Sequence, residues 1–304
     1  MDQLTEPGTI NDLITDAARH GHQVIARLVR DWSERGLLDY PTRRPAGKGH
    51  GSKQALYTAN QRMLFLSLLD KRAGNSIRSL ARMPVWLWMY WGDDYVPLRQ
   101  AHRAFMTWLD DPRVSKQRAR ETAQAILGQL DNPMATKKAR RELVDVLADI
   151  GYTGRADFRQ LDRVVRAVFQ PGSVRVERAL GNPAAPITAE SVVDVIRVRL
   201  TAIEQLHTRQ VPEEVFIQAR QAQLVTFAEY AQLQPMLVAS APQQLADMYE
   251  PATAEMAFNG CCSHLLTTIG MRLCYPDRAA KVFASVPRDI SGLWTANRET
   301  GSQT

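Results

Sequence analysis

Cysteine is nearly missing from this chain: 304 residues contain only Cys261, Cys262 and Cys274. Three thiols, two of them adjacent, do not make a disulfide framework, which points to a reduced, cytoplasmic setting. Long uncharged apolar runs are also lacking, so no membrane span and no membrane partner are expected. The opening Met1–Ile10 is acidic and has no signal-peptide pattern. There is no Gly-x-x-x-x-Gly-Lys phosphate loop, no Cys-His catalytic pairing, no cobalamin-type motif and no internal repeat. His102, His207 and His264 stand apart. Cys261, Cys262 and His264 with Cys274 invite a metal reading, but adjacent residues on a helix point about 100° apart and chelate poorly. The usual spaced cysteine pairs are absent, so the thiols read as small buried apolar groups. The expectation is a protein with no metal, no cofactor and no enzymatic activity.

What is present is an ordinary globular composition, 45% hydrophobic and 23% charged, with a net charge of +6 that is unevenly spread. Tyr40–Arg82 holds nine lysines and arginines against one acid, and Arg113–Arg178 holds fourteen against eight. Gly181–Thr304 is net acidic, with nine against twelve. Clustering of this kind fits a surface that faces a polyanion. Basic residues that merely solvate helix surfaces are the alternative, chiefly for the second segment.

Thr9 is placed to cap a first helix, with Ile10, Leu13, Ile14 and Ala17 on one face. After a turn at Gly21, a second helix carries Val24, Ile25, Leu28, Val29 and Trp32 and closes at Gly36. The run Tyr40 to Lys53 is basic and rich in glycine, and reads as a hairpin. A third helix spans about Asn60 to Lys71, and Ser76 caps a segment containing Met83-Pro84-Val85-Trp86-Leu87-Trp88-Met89-Tyr90-Trp91, which Pro84 should kink or divide. Beyond Asp111-Pro112 the pattern is helical, with a linker at Gly181–Pro186 and helices opening near Ser115, Ala135, Ala156, Thr188, Pro212 and Ser240. The layout predicts a mainly α protein. Residues 1–111 form an N-terminal winged helix-turn-helix with a short β-hairpin wing and the aromatic helix. Residues 112–287 form an all-helical C-terminal domain for dimerisation, partner contact or sensing, and 288–304 form a flexible tail.

Three features bear on function. A second helix presenting Gln23, Arg27 and Arg30 on one face offers donors to base edges, while Arg43, Arg44, Lys48, His50 and Lys53 of the wing, with Arg62, would sit on phosphates. For Arg27 and Arg30 a helix-helix surface contact is the alternative. The cluster Trp86, Trp88, Tyr90 and Trp91 would line a ligand pocket, dock the second domain, or pack as core. Arg155, Arg159, Arg163 and Arg166 recur opposite Phe158, Leu161, Val165 and Val168, extending a DNA footprint, binding an acidic partner or forming a solvated face. Val193, Ile196, Leu200, Ile203 and His207 read as a dimer seam or as an intradomain hairpin.

Residues Thr9 to about Met83 resemble the DNA-binding domain of the MerR-type regulators. Arg30, Trp32, Gly36-Leu37-Leu38, Pro41, Arg43, Arg44, Tyr57, and Gly74 with Ser76 follow the family's order. Three departures stand out. Ala55 replaces the usual wing arginine, the wing is longer, and the first turn is stretched around His20-Gly21-His22. Lys48, His50 or Lys53 would then have to make the missing phosphate contact. The resemblance covers about a quarter of the chain. It implies a sequence-specific, nucleoid-associated transcriptional regulator that binds double-stranded DNA near promoters as a homodimer and acts on RNA polymerase. A replication, partition or nucleoid-organising factor and a ligand sensor using the tryptophans are the other expectations.

Overall fold

A computed structural model describes residues 4–45, 52–109, 115–130, 135–169, 175–179, 182–187, 189–208, 210–240 and 253–277. The protein is mainly α, with twelve helices among the described residues. It divides into two compact units, Met1–Asp110 and Asp111–Thr304.

The first unit opens with α1 (Ile10–Arg19), started by a capping box in which Thr9 and Asp12 satisfy each other's backbone. The following turn is pinned where the His22 ring meets Asp70 at 2.9 Å. Next comes α2 (Ala26–Glu34), whose buried face is Val29, Trp32 and Ser33. Gly36 ends it at φ +74°, and a Cβ there would lie 2.3 Å from the Ala104 backbone nitrogen. Only glycine combines that dihedral with that close approach. Strands β1 (Thr42–Pro45) and β2 (Ser52–Leu56) pair antiparallel with Thr42 opposite Leu56 and Arg44 opposite Lys53. Gly8 and Tyr57 exchange backbone hydrogen bonds of 2.9 and 2.8 Å, which ties the N-terminal segment to the root of the hairpin.

Thr58 caps α3 (Ala59–Arg72), which buries Leu64, Phe65, Leu68 and Leu69. The Trp32 and Phe65 rings meet edge to face at 5.5 Å. The aromatic segment is divided into α4 (Ile77–Leu80) and α5 (Arg82–Trp91). The break falls at Ala81, and Pro84 sits in the first turn of α5, where its missing N–H is harmless. A helix not anticipated above, α6 (Leu98–Leu109), packs on α4 and α5 and closes the core with Ala101, Ala104 and Phe105.

In the second unit α7 (Lys116–Leu130) and α8 (Lys137–Thr153) pack together, and α9 (Phe158–Phe169) follows a left-handed Gly154. Leu143, Leu147, Ile150, Leu161, Val164, Val165 and Val168 form the shared apolar core. This unit is not all-helical: β3 (Arg175–Ala179) and β4 (Asn182–Ile187) pair antiparallel across the stretch expected to be a linker. α10 (Ala189–His207) packs on α9 and α12 (Ala254–Cys274), and α11 (Glu213–Ser240) packs on α12. The face of α10 expected as a dimer seam turns inward, with Val193 buried and Ile196 and Leu200 packed on the same core. The expected helix after Ser240, the cap at Thr188 and the tail 288–304 lie outside the described residues.

Candidate nucleic-acid interface

The N-terminal turn of α2 has Ile25 in the capping position and no side-chain cap. Its first backbone N–H groups therefore present partial positive charge outward. Arg27 and Arg30 are exposed, three residues apart on this helix. Neither has a carboxylate partner among the described residues. Gln23 is also exposed, but it lies in the loop before α2. The shared helical face expected for Gln23, Arg27 and Arg30 is thus corrected to Arg27 and Arg30 alone, because the extended backbone persists to Ile25.

Beside α2 the hairpin carries Arg43, which is exposed. The register sets Arg44 across from Lys53, placing two basic positions side by side on the strands. The side chains of Arg44 and Lys53, and Lys48 and His50 altogether, lie outside the described residues. A cleft of about 320 Å³ separates α2 from the hairpin root, lined by Arg30, Glu34, Tyr40, Gln54 and Tyr57 among others. Tyr57 is buried at its back, and that burial raises its phenol pKa. Tyr40 stands at the rim, its hydroxyl donating to Glu34 Oε2 at 2.9 Å with the Arg103 guanidinium 4.3 Å over its ring. The bond to Glu34, first among its causes, raises the Tyr40 pKa.

The junction between α2 and the hairpin is held by buried polar groups. Asp39 is 5% exposed and receives Arg99 at 2.6 Å and Arg103 at 3.1 Å. Gln61 accepts from the Asp39 backbone N–H at 2.7 Å and donates to Gln100, which donates in turn to the Leu37 carbonyl at 3.1 Å. Thr107 donates to the Arg35 carbonyl. Sequence reading missed α6 as the source of this clamp. The apolar spacing Ala101, Ala104-Phe105, Trp108-Leu109 after Pro97 was the available signal.

Arg62 is corrected away from a phosphate role. It donates to Asp16 at 2.9 and 2.7 Å and to the Glu6 carbonyl at 2.7 Å, and its side chain is 12% exposed. A guanidinium held this way ties α3 to α1, with each of its three nitrogens already engaged.

The aromatic cluster is brought together. Trp88 and Tyr90 are buried, and Trp88 Nε1 donates to Asp93. Trp86 and Trp91, half-buried, meet edge to face at 4.7 Å. These contacts are those of packing rather than of an open aromatic box. Among the described residues no group of three His, Cys, Asp or Glu side chains is placed to hold a metal ion. Cys261 and Cys262 are buried thiols, and His264 has its pKa lowered to about 4 by burial and by Arg199. No helix among the described residues is long and apolar enough to cross a membrane.

The chain matches no family model, no curated protein and no solved structure. The reading of this interface therefore stands on its own chemistry.

Proposed function

We propose that this protein binds duplex DNA through its first unit as a sequence-specific transcriptional regulator, with a MerR-like winged helix-turn-helix as the reading head. The observation that carries the reading is the uncapped start of α2. It presents exposed Arg27 and Arg30 without carboxylate partners among the described residues, beside a hairpin with basic positions on both strands. Arg27, exposed in the first turn, would donate to base edges in the major groove. Arg30 lines the cleft toward the hairpin, so it serves both the groove and the adjoining phosphates. Arg43 with the other wing cations supplies affinity that carries no sequence information. Regulation of promoters, contact with RNA polymerase and homodimerisation belong to this proposal, and no catalytic step does.

The test is selection of bound sequences from a random duplex pool, with the full chain and an Arg27→Ala/Arg30→Ala variant. A short enriched motif is expected for the native chain. The variant should lose about 1–3 kcal/mol of discrimination per base contact while keeping affinity for bulk duplex. The double variant Arg43→Glu/Arg44→Glu should instead weaken all duplexes alike and flatten the salt dependence. A native chain that retains no duplex, or a variant with unchanged preference, overturns the reading.

A further inference from the structure

A second arginine face lies in the other unit. Residues 154–157 join α8 to α9, and Gly154 takes the left-handed conformation at φ +69° that such a tight turn requires. Asp157 starts α9, its Oδ1 accepting from the Arg159 and Gln160 backbone N–H groups at 2.9 and 3.2 Å. Helix, four-residue turn and helix is the connectivity of a helix-turn-helix, and the β3–β4 hairpin comes next in the chain.

The inner face of α9 is fixed by burial of Leu161, Val164, Val165, Val168 and Phe169. That leaves Arg159, Arg163 and Arg166 on the outer face. Arg166 is held by Asp162 and Glu190. Asp157 is occupied in capping. Arg155, Arg159 and Arg163 are exposed, and among the described residues no carboxylate pairs with them. Asp157 keeps its negative charge while capping α9 and pairs with none of these arginines, so the start of α9 is exposed and net positive, three arginines against one carboxylate.

We propose that the outer face of α9, through Arg155, Arg159 and Arg163, is a second duplex-DNA contact that grips the phosphate backbone. The inference rests on the proposed function for its ligand class but uses different residues. Arg159 and Arg163 are separated by about 6 Å along the helix axis. Phosphates on one strand follow each other at about 3.4 Å of axial rise, so two long side chains about 6 Å apart reach separate phosphates. The planar guanidinium takes such oxygens two at a time.

The test measures binding of the full chain to a labelled random-sequence duplex between about 50 and 200 mM salt. Arg159→Gln/Arg163→Gln should lower the slope of log affinity against log salt by about 1.8, two phosphates at about 0.9 each. Arg159→Lys/Arg163→Lys should keep most of that slope, and the helical circular dichroism of both variants should match the native chain. A native slope in the glutamine variant overturns the proposal. So does poly-glutamate displacing the duplex at equal charge, which assigns the face to acidic polypeptides. If Arg27→Ala/Arg30→Ala leaves the sequence preference selected from the random pool unchanged while the α9 variant loses salt slope, the α2 reading fails and this one stands. If the native chain binds no duplex, both fail.

Discussion

Both units follow a helix, a short turn, an arginine-bearing helix and then a hairpin, yet their interiors are built differently. Under α2 and its hairpin lie Asp16, Ser33, Asp39, Gln61 and Gln100, all buried and all hydrogen-bonded. Under α8 and α9 lies an apolar cluster of leucine, isoleucine, valine, alanine and phenylalanine. Apolar packing is non-directional and accepts small shifts, whereas a satisfied polar network holds one arrangement. Under the proposed function the contrast amounts to a division of labour, in which the first module would be fixed to read and the second would need only to hold. A base contact fails when misplaced by an ångström, while a phosphate contact made by a long side chain tolerates it.

The largest way to break the comparison is Arg62→Met. It leaves the Asp16 carboxylate, 4% exposed, with only the solvent-exposed Arg19 guanidinium 3.9 Å away. Such a loss is expected to destabilise the first unit by about 3–5 kcal/mol. Urea denaturation followed by tryptophan fluorescence checks it, because five of the six tryptophans (32, 86, 88, 91 and 108) lie in that unit. A midpoint close to native would mean that the network does not specify the fold there.

Leu161→Ala is the counterpart in the second unit. Leu161 is fully buried between α8 and α9, so the cavity should cost about 2–4 kcal/mol. The signature is selective: helical circular dichroism should melt earlier while the tryptophan transition stays in place. Movement of both signals together would show that the units unfold as one.

His264 sharpens the same contrast through pH. Its pKa in the folded chain, about 4, is below the ordinary 6.5, because burial and the Arg199 guanidinium both oppose the charged ring. The unfolded chain thus binds the extra proton first, and stability rises with pH across this window. The contribution is fully present above about pH 6.5 and is lost as pH falls toward 4, amounting to at most about 3 kcal/mol. Chemical denaturation at pH 7 and pH 4.5 should show the loss in the helical signal, and His264→Gln should flatten it. An unchanged slope in that variant assigns the acid sensitivity to other groups.

Much of the first unit was legible because its signals are local. Thr9 and Ser76 act as caps, Gly36 ends α2, and the basic hairpin pairs as its composition implied. The clamp on Asp39 was not legible, since Arg99 and Arg103 reach Asp39, and Gln100 reaches the Leu37 carbonyl, across some sixty residues of sequence. Arg62 was misread for the same reason: an arginine six residues past the hairpin looks like a DNA contact until Asp16 is folded against it. In the second unit the period of α9 was clear, but the extended 175–187 hairpin was hidden by Pro and Gly that equally suit a loop.

The smallest expected effect is the most discriminating for the second module. Arg120 and Asp145 meet at 3.2 Å between α7 and α8, with their side chains 56% and 53% exposed. Exposed pairs gain little Coulomb energy in water and give up side-chain freedom, so Arg120→Ala should shift stability by no more than about 0.5–1 kcal/mol. Arg159→Gln/Arg163→Gln, which breaks no pair among the described residues, should shift it still less. The charges of this module would then matter for what it touches and not for how it folds. Thermal melts at low and high salt check this: coincident curves for native and variant chains support that reading. A large drop in either variant would make the surface cations structural and erase the contrast with the first unit.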